Sequence, residues 1–244
     1  MSQDFMMTAG FPVVVTTPDE LADRLLRRMA QSKQSVLLFA NTNFIVQCRQ
    51  LLPRMLNDNV IIVNDGVGMD IAALLLYGKR FKANLNGTDF TPFLITKCSR
   101  PLRFFLLGGK LKALDAAACY LEQELGQVVV GSCDGYQGMQ ADGLVQRIND
   151  SQADVLLVAT GNPKQEQWIL DHYRQLNVKL LSGVGALFDF WAKDKPRAPA
   201  WVQRVRMEWL FRLCLEPKRL FKRYTMDILI FLILCFRYRG LKSE

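Results

Sequence analysis

Asp154-Val-Leu-Leu-Val-Ala-Thr-Gly161-Asn-Pro163-Lys164-Gln165-Glu166-Gln-Trp168-Ile169 is the stretch that decides the fold class of this 244-residue chain. Residues 155–160 are uncharged and apolar or β-branched, the composition of a strand covered on both faces. Gly161 ends it, and Pro163 suits the first turn of a helix, where a missing N–H costs nothing. The loop offers helix N–H groups, Lys164 and the amide of Gln165 at the C-terminal end of a parallel strand, where open α/β sheets bind anionic ligands. A second strand, residues 178–182, follows at once and ends in Gly183-Val-Gly185-Ala-Leu-Phe188-Asp189. Two neighbouring strand ends with glycine loops predict a crevice. The plainer alternative is a pair of ordinary strand–turn–helix connections.

The same alternation runs outward from this stretch. Strands are expected at 11–15, 35–40, 60–63, 102–107 and 128–131, with helices between them. Thr17 reads as an N-cap with Glu20 as capping-box partner and Pro18 at the first helical position; Leu21, Leu25, Leu26 and Met29 form the apolar stripe behind it. One helix is expected from residue 43 to about 56. Strand ends carry polar or glycine loops: Asn41-Thr42-Asn43, Asn64-Asp65-Gly66-Val67-Gly68, Gly108-Gly109-Lys110 and Ser132-Cys133-Asp134-Gly135-Tyr136, while Asn86-Gly87-Thr88-Asp89 is a helix-capping turn. Asp65 is thus presented at a strand end; its ordinary alternative is a turn residue, Asp-Gly being a common turn pair. Alternating strands and helices predict a mostly parallel, Rossmann-like sheet with helices on both faces and the glycine loops on one edge.

Composition narrows the classes. Half of the residues are apolar, enough for one large or two small domains. The first ten residues lack a basic start followed by an apolar core, so no leader peptide is expected. Six scattered cysteines without a Cys-x-x-Cys pair read as buried thiols in a reducing compartment. A single histidine leaves little for a zinc site, and the chain has no Asp-x-Asp to hold a divalent ion against a diphosphate. Neither metal nor cofactor is expected.

The net charge of +8 is uneven. Thirteen Lys/Arg and five Asp/Glu lie from Lys193 onward, leaving 18 of each sign before it. Residues 1–192 therefore read as a neutral α/β core, and 193–244 as a basic and apolar helical appendage that meets an anionic surface. Lys218/Lys222 and Arg219/Arg223 are four apart and share a helix face. Residues 228–236 are uncharged and apolar; as a helix they reach roughly 14 Å, short of the roughly 30 Å of bilayer hydrocarbon. They fit the membrane interface, with Trp209, Tyr224 and Tyr238 at headgroup level. The alternative is a core helix or a subunit contact, and a homo-oligomer is left open.

Taken together in order and spacing, Asn64-Asp65-Gly66-Val67-Gly68, Asn86-Gly87-Thr88-Asp89, Gly108-Gly109-Lys110, Gly161-Asn-Pro-Lys-Gln-Glu166, Gly183-Val-Gly185-Ala-Leu-Phe-Asp189, Arg197-Ala-Pro199 and the 208–219 segment with Glu208, Arg212, Glu216, Pro217 and Arg219 carry a resemblance. Over nearly its whole length the chain resembles the WecG/TagA/CpsF family of bacterial glycosyltransferases. The resemblance implies transfer of a sugar from a UDP donor to a saccharide on a polyprenyl diphosphate. It implies a peripheral enzyme at the cytoplasmic face of the inner membrane, inverting and metal-independent, with a fold unlike the two commonest glycosyltransferase architectures. Asn84 stands where the family usually has Arg, and Lys193 where it usually has Gly. The donor, N-acetylmannosamine, its uronic acid, glucuronic acid or similar, is therefore not carried over.

By strand-end place and by the resemblance, Asp65 is the candidate base and Asn43 orients a sugar. Gly109, Lys164, Gln165 and Gly185 form a donor pocket, with Gly66, Gly68, Thr88, Asp89, Gly108, Gly161, Glu166 and Gly183 contributing. Tyr136 stacks on uracil and Asp189 accepts its hydrogen bonds. Arg212, Arg219 and Arg223 reach the donor and acceptor diphosphates. Two other classes of function compete with this reading. A nicotinamide-dependent oxidoreductase requires a complete Gly-x-Gly-x-x-Gly in the first βαβ unit, which is absent. A non-catalytic membrane- or nucleic-acid-binding module leaves the polar loops without purpose, and no nucleic acid is expected.

Overall fold

The computed structural model describes residues 4–136, 138–194, 196–199, 201–202 and 207–239; for Arg219, Lys222, Arg223 and Arg239 it describes the backbone alone. Eight strands form one sheet: β1 (Phe5–Thr8), β2 (Phe11–Val14), β3 (Ser35–Ala40), β4 (Val60–Asn64), β5 (Arg103–Gly108), β6 (Val128–Cys133), β7 (Val155–Ala159) and β8 (Leu180–Gly183). Their order is β1-β2-β4-β3-β8-β7-β5-β6. Every pairing is parallel except β1 with β2. The helices are α1 (Pro18–Ala30), α2 (Thr42–Gln47), α3 (Leu52–Met55), α4 (Val67–Tyr77), α5 (Gly87–Thr96), α6 (Leu111–Cys119), α7 (Leu144–Asp150), α8 (Lys164–His172), α9 (Leu187–Trp191), α10 (Glu208–Leu215), α11 (Pro217–Tyr224) and α12 (Met226–Arg239).

Strand residues alternate between two cores. Val36 and Leu38 of β3 join the core closed by α2, α4, α7, α8 and α12; Leu37 and Phe39 join the one closed by α1, α5, α6 and α9. Burial on both faces accounts for the uncharged run of β7, whose five residues are all buried. The connection from β5 leads outward to β6 and that from β7 leads back to β8. Their loops diverge at a topological switch point, where α/β sheets open a crevice.

The α1 capping box is present as expected: Thr17 Oγ1 accepts from Glu20 N–H, and the Glu20 carboxylate accepts from Thr17 N–H. Several expectations are corrected. β1 adds a strand beyond those expected: it is an edge strand closed by a two-residue turn, Ala9-Gly10, with both φ values positive. The expected helix at 43–56 is divided into α2, a 3₁₀ turn and α3, because Pro53 starts a new helix instead of continuing the old one. Pro163 is the N-cap of α8, preceding its first turn. Not all thiols are buried: Cys119 and Cys214 are exposed and Cys98 is half-buried. The apolar run at 228–236 is split between two environments. Phe231 and Cys235, four apart, are buried in the core against α2 and α4, whereas Leu229, Ile233 and Phe236 face outward.

Asp154 locks the edge of the sheet opposite the glycine loops. Its backbone joins β5 and β8, accepting from Leu180 N–H and donating to Arg103 O. Its buried carboxylate accepts from Arg100, Arg103 N–H and Lys179. Burial alone would raise its pKa; these hydrogen bonds outweigh burial and hold it below the usual carboxylate range. Asp154→Ala should lower the unfolding free energy by about 1 kcal/mol, since Arg103 N–H loses its acceptor while the Arg100 and Lys179 heads remain partly solvated. A depressed folded pKa stabilises above the ordinary carboxylate pKa and loses that contribution as pH falls through the folded value. Chemical denaturation should therefore show the wild-type advantage at neutral pH and its loss in acid; an equal gap at both would refute the role.

Candidate active site

The loops after β4, β3, β8, β7, β5 and β6 lie side by side along one edge. From β4 to β6 there are five strand spacings of about 4.8 Å, a row of strand ends roughly 24 Å long in the order Asp65, Asn43, Gly185, Gly161, Gly109, Tyr136. Nearly all the strand-end residues singled out in the sequence fall on this edge. Arg212 of the appendage lies over the Phe190 ring of α9; Arg219 and Arg223 lie on α11, but their side chains are outside the described residues.

At the β4 end, Asp65 is half-buried and its N–H donates to Ala40 O at 2.7 Å. Asn41, which sequence reasoning left unassigned, orients it. Asn41 Oδ1 accepts from Phe44 N–H as the N-cap of α2, so its Nδ2 points the other way and donates to Asp65 Oδ2 at 3.2 Å. The cap therefore fixes which end of the amide meets the carboxylate. Asn84 Oδ1 accepts from Gly66 N–H at 2.5 Å. Gly66 has φ +90°, which an L side chain rarely adopts, and it starts α4. A Cβ on Gly68 would fall 2.5 Å from Thr42 Cγ2, so α4 can approach α2 only with glycine there. Asn86 caps α5 and also donates to Asp89, which forms an ion pair with Arg197 of the appendage; Thr88 is half-buried beside it.

In the middle of the edge the polar groups are knotted together. Gln165, buried, accepts through Oε1 from Gly161 N–H (3.1 Å) and Gly185 N–H (3.0 Å), and donates through Nε2 to Glu166 Oε1 (2.7 Å). Glu166, also buried, accepts from Asn162 Nδ2 at 2.7 Å and from Cys48 Sγ–H at 3.6 Å. Asn162 Oδ1 in turn accepts from Asn43 Nδ2 at 3.5 Å. Gln165 and Glu166 thus spend their polar atoms on the loops. Beside them Lys164 is exposed and Asn43, Gly161 and Gly185 are half-buried, with the N–H groups of both glycines taken by Gln165. A Cβ on Gly183 would meet the Gln165 amide at 2.8 Å.

At the far end, Gly108 has φ +119° and a Cβ there would lie 2.7 Å from the Ala159 backbone. Asp134 folds the next loop by accepting from Tyr136 N–H and Gly138 N–H, and the Tyr136 ring stands exposed. Gly109 packs toward Phe188 of α9, which brings half-buried Asp189 to this end. Arg212 of α10 pairs with Glu208 and lies 4.9 Å over the Phe190 ring, docking the appendage on α9. Among the described residues no group of three or more His, Cys, Asp or Glu is placed to hold a metal ion.

Burial raises the Glu166 carboxyl above its usual range, despite the donors from Gln165, Cys48 and Asn162 that pull it down. A raised folded pKa favours the neutral acid; that contribution is complete below about pH 4.3 and is lost as pH rises through the folded value. Glu166→Gln keeps an acceptor for Gln165 and Asn162 without the ionisation. Its denaturation midpoint should match or exceed wild type at neutral pH and hold flat where wild type declines. Parallel pH profiles would show that Glu166 folds as the carboxylate.

Comparison with known proteins bears on this edge. The family model for the glycosyl transferase WecG/TagA/CpsF family matches residues 6–244. Similar curated proteins include the N-acetylglucosaminyldiphosphoundecaprenol N-acetyl-beta-D-mannosaminyltransferases of Staphylococcus aureus strains MRSA252 and NCTC 8325 / PS 47. Each is 30% identical over 131 residues, covering 54% of this chain and 52% of the relative. The chain thus spans about half the length of the curated relatives it matches. With a model match across nearly its whole length, the chain belongs to the WecG/TagA/CpsF family of glycosyl transferases.

Proposed function

We propose that the chain transfers a sugar from a UDP-sugar to a saccharide carried on a polyprenyl diphosphate, at the cytoplasmic face of the bacterial inner membrane, in surface polysaccharide synthesis. The observation that carries this reading is Asp65, a carboxylate held by a capping amide at one end of a row of strand-end loops whose other end is an exposed tyrosine. The relatives' names supply the acceptor class, a sugar on a diphosphate-linked polyprenol, and an N-acetylmannosaminyl group as one donor candidate. The mannosaminuronic and glucuronic acids are the others.

In this reading the nucleotide lies along the edge, with uracil on Tyr136 and hydrogen bonds to Asp189. Its diphosphate lies over Gly108, Gly109, Gly161, Lys164 and Gly185, with Gln165, Glu166 and Gly183 holding those loops in place. Arg212 is positioned on α9 to add charge, with Arg219 and Arg223 assigned the same role. The sugar reaches Asn43, Thr88 and the Gly66–Gly68 turn, with Asp89 tied to Arg197. Asp65 takes the acceptor hydroxyl proton as the oxygen bonds to the anomeric carbon and the carbon–oxygen bond to UDP breaks. One displacement inverts the anomeric centre. An alcohol is a poor nucleophile at neutral pH, so the base matters. The protein's cations stabilise the departing diphosphate.

Asp65→Asn keeps the hydrogen bond geometry and removes the base. Single-turnover transfer should fall about 10²–10⁴-fold with UDP binding by calorimetry unchanged; full turnover would reduce Asp65 to a turn residue. The reaction is proposed to be metal-independent, a reading supported by the lack of Asp-x-Asp in the sequence. Activity should accordingly survive EDTA, and loss restored by Mg²⁺ or Mn²⁺ would overturn the assignment of leaving-group stabilisation to Lys and Arg.

A further inference from the structure

Two helices of the same layer carry apolar surface that nothing in the described fold covers. On α4, Met69, Ala72 and Ala73 are buried in the core, while Ile71, Leu74 and Leu75 face outward at spacings of three and four. On α12, which packs against α2 and α4, Phe231 and Cys235 are buried and Leu229, Ile233 and Phe236 form the outer stripe. These six side chains are each 45–57% exposed. Isolated exposed apolar residues are ordinary, but two adjoining helices with matching outer stripes form a contiguous patch.

The patch has a basic end. Both helices finish at the β1–β2 hairpin: Tyr77 Oη–H donates to Met7 O at 2.7 Å, and a Cβ on Gly10 would lie 2.9 Å from the Tyr238 ring. Lys79 and Arg80, just beyond α4, and Arg237 in the last turn of α12 are exposed there. The two acidic residues of these helices, Asp70 and Asp227, are buried. An apolar helical face with cationic residues at its margin is complementary to an anionic bilayer surface, into whose headgroup region such helices settle. The geometry also links this face to chemistry. Asp65-Gly66 directly precedes α4, so a helix lying in the interface places the candidate base at headgroup depth.

We propose that α4 of the core, together with α12, forms one bilayer-contact face, so that membrane contact is shared by core and appendage and sets the height of Asp65 above the lipid. This rests on the proposed transfer to a lipid-linked acceptor, but its test does not. Ile71→Gln, Leu74→Gln and Leu75→Gln combined in the full chain replace exposed side chains by a good helix former. Partition onto phosphatidylcholine–phosphatidylglycerol vesicles, read by co-sedimentation, should weaken about tenfold or more. Lys79→Gln with Arg80→Gln should reduce the preference for phosphatidylglycerol over pure phosphatidylcholine. Transfer to a water-soluble short-chain acceptor should be unchanged in both variants, and its absence in wild type would indict the functional reading and leave the vesicle result intact. Wild-type sedimentation by the triple variant would overturn the proposal. So would loss of self-association in analytical ultracentrifugation with vesicle binding unaltered, which would make the face a contact between copies of this chain.

Discussion

A parallel sheet ends in a row of backbone N–H groups and carbonyls that the strands no longer satisfy, and here the side chain of Gln165 takes up the central ones. Its amide oxygen accepts from Gly161 and Gly185, tying the β7 and β8 loops to each other. Its nitrogen anchors on Glu166, which draws in Asn162 and Cys48. Gln165, Glu166 and Cys48 are buried, where an unsatisfied polar group is costly, so the network is rigid when complete and damaging when broken. The β7 and β8 loops owe their positions to this knot, and would lose these ties if Gln165 and Glu166 turned toward a ligand.

The same economy governs the Asp65 end. Asn41 caps α2 with one side of its amide and holds Asp65 with the other, so helix initiation and carboxylate orientation are one event. Gly68 allows α4 to come up against Thr42, which keeps the Asp65 turn close to the β3 loop. Positioning of the candidate base is thus a by-product of ordinary capping and close packing, achieved on rigid elements.

The appendage departs from the expected surface-bound segment. Phe231 and Cys235 fill a core shared with α2 and α4, and Arg212 docks on Phe190. Core and appendage are joined by packing and by the Arg197–Asp89 pair. The proposed membrane contact is then a property of a composite face.

Patterns local in the chain were legible from the residues alone. Uncharged β-branched runs marked the buried strands, Thr17-Pro18-Asp19-Glu20 marked the start of α1, and polar or glycine loops after the strands marked the edge that carries the candidate site. These signals depend on neighbours within a few positions, and periodicity or capping geometry fixes them. Strand order, the pairing of Asn41 with Asp65, and the burial of Gln165 and Glu166 joined residues 20 or more apart or depended on which side of a loop faced inward. So did the division of α12, because its nine-residue apolar run shows no preferred face until α2 and α4 supply one. Tertiary packing decided these, since only the assembled layers determine which polar atoms lose water and must find a partner within the protein.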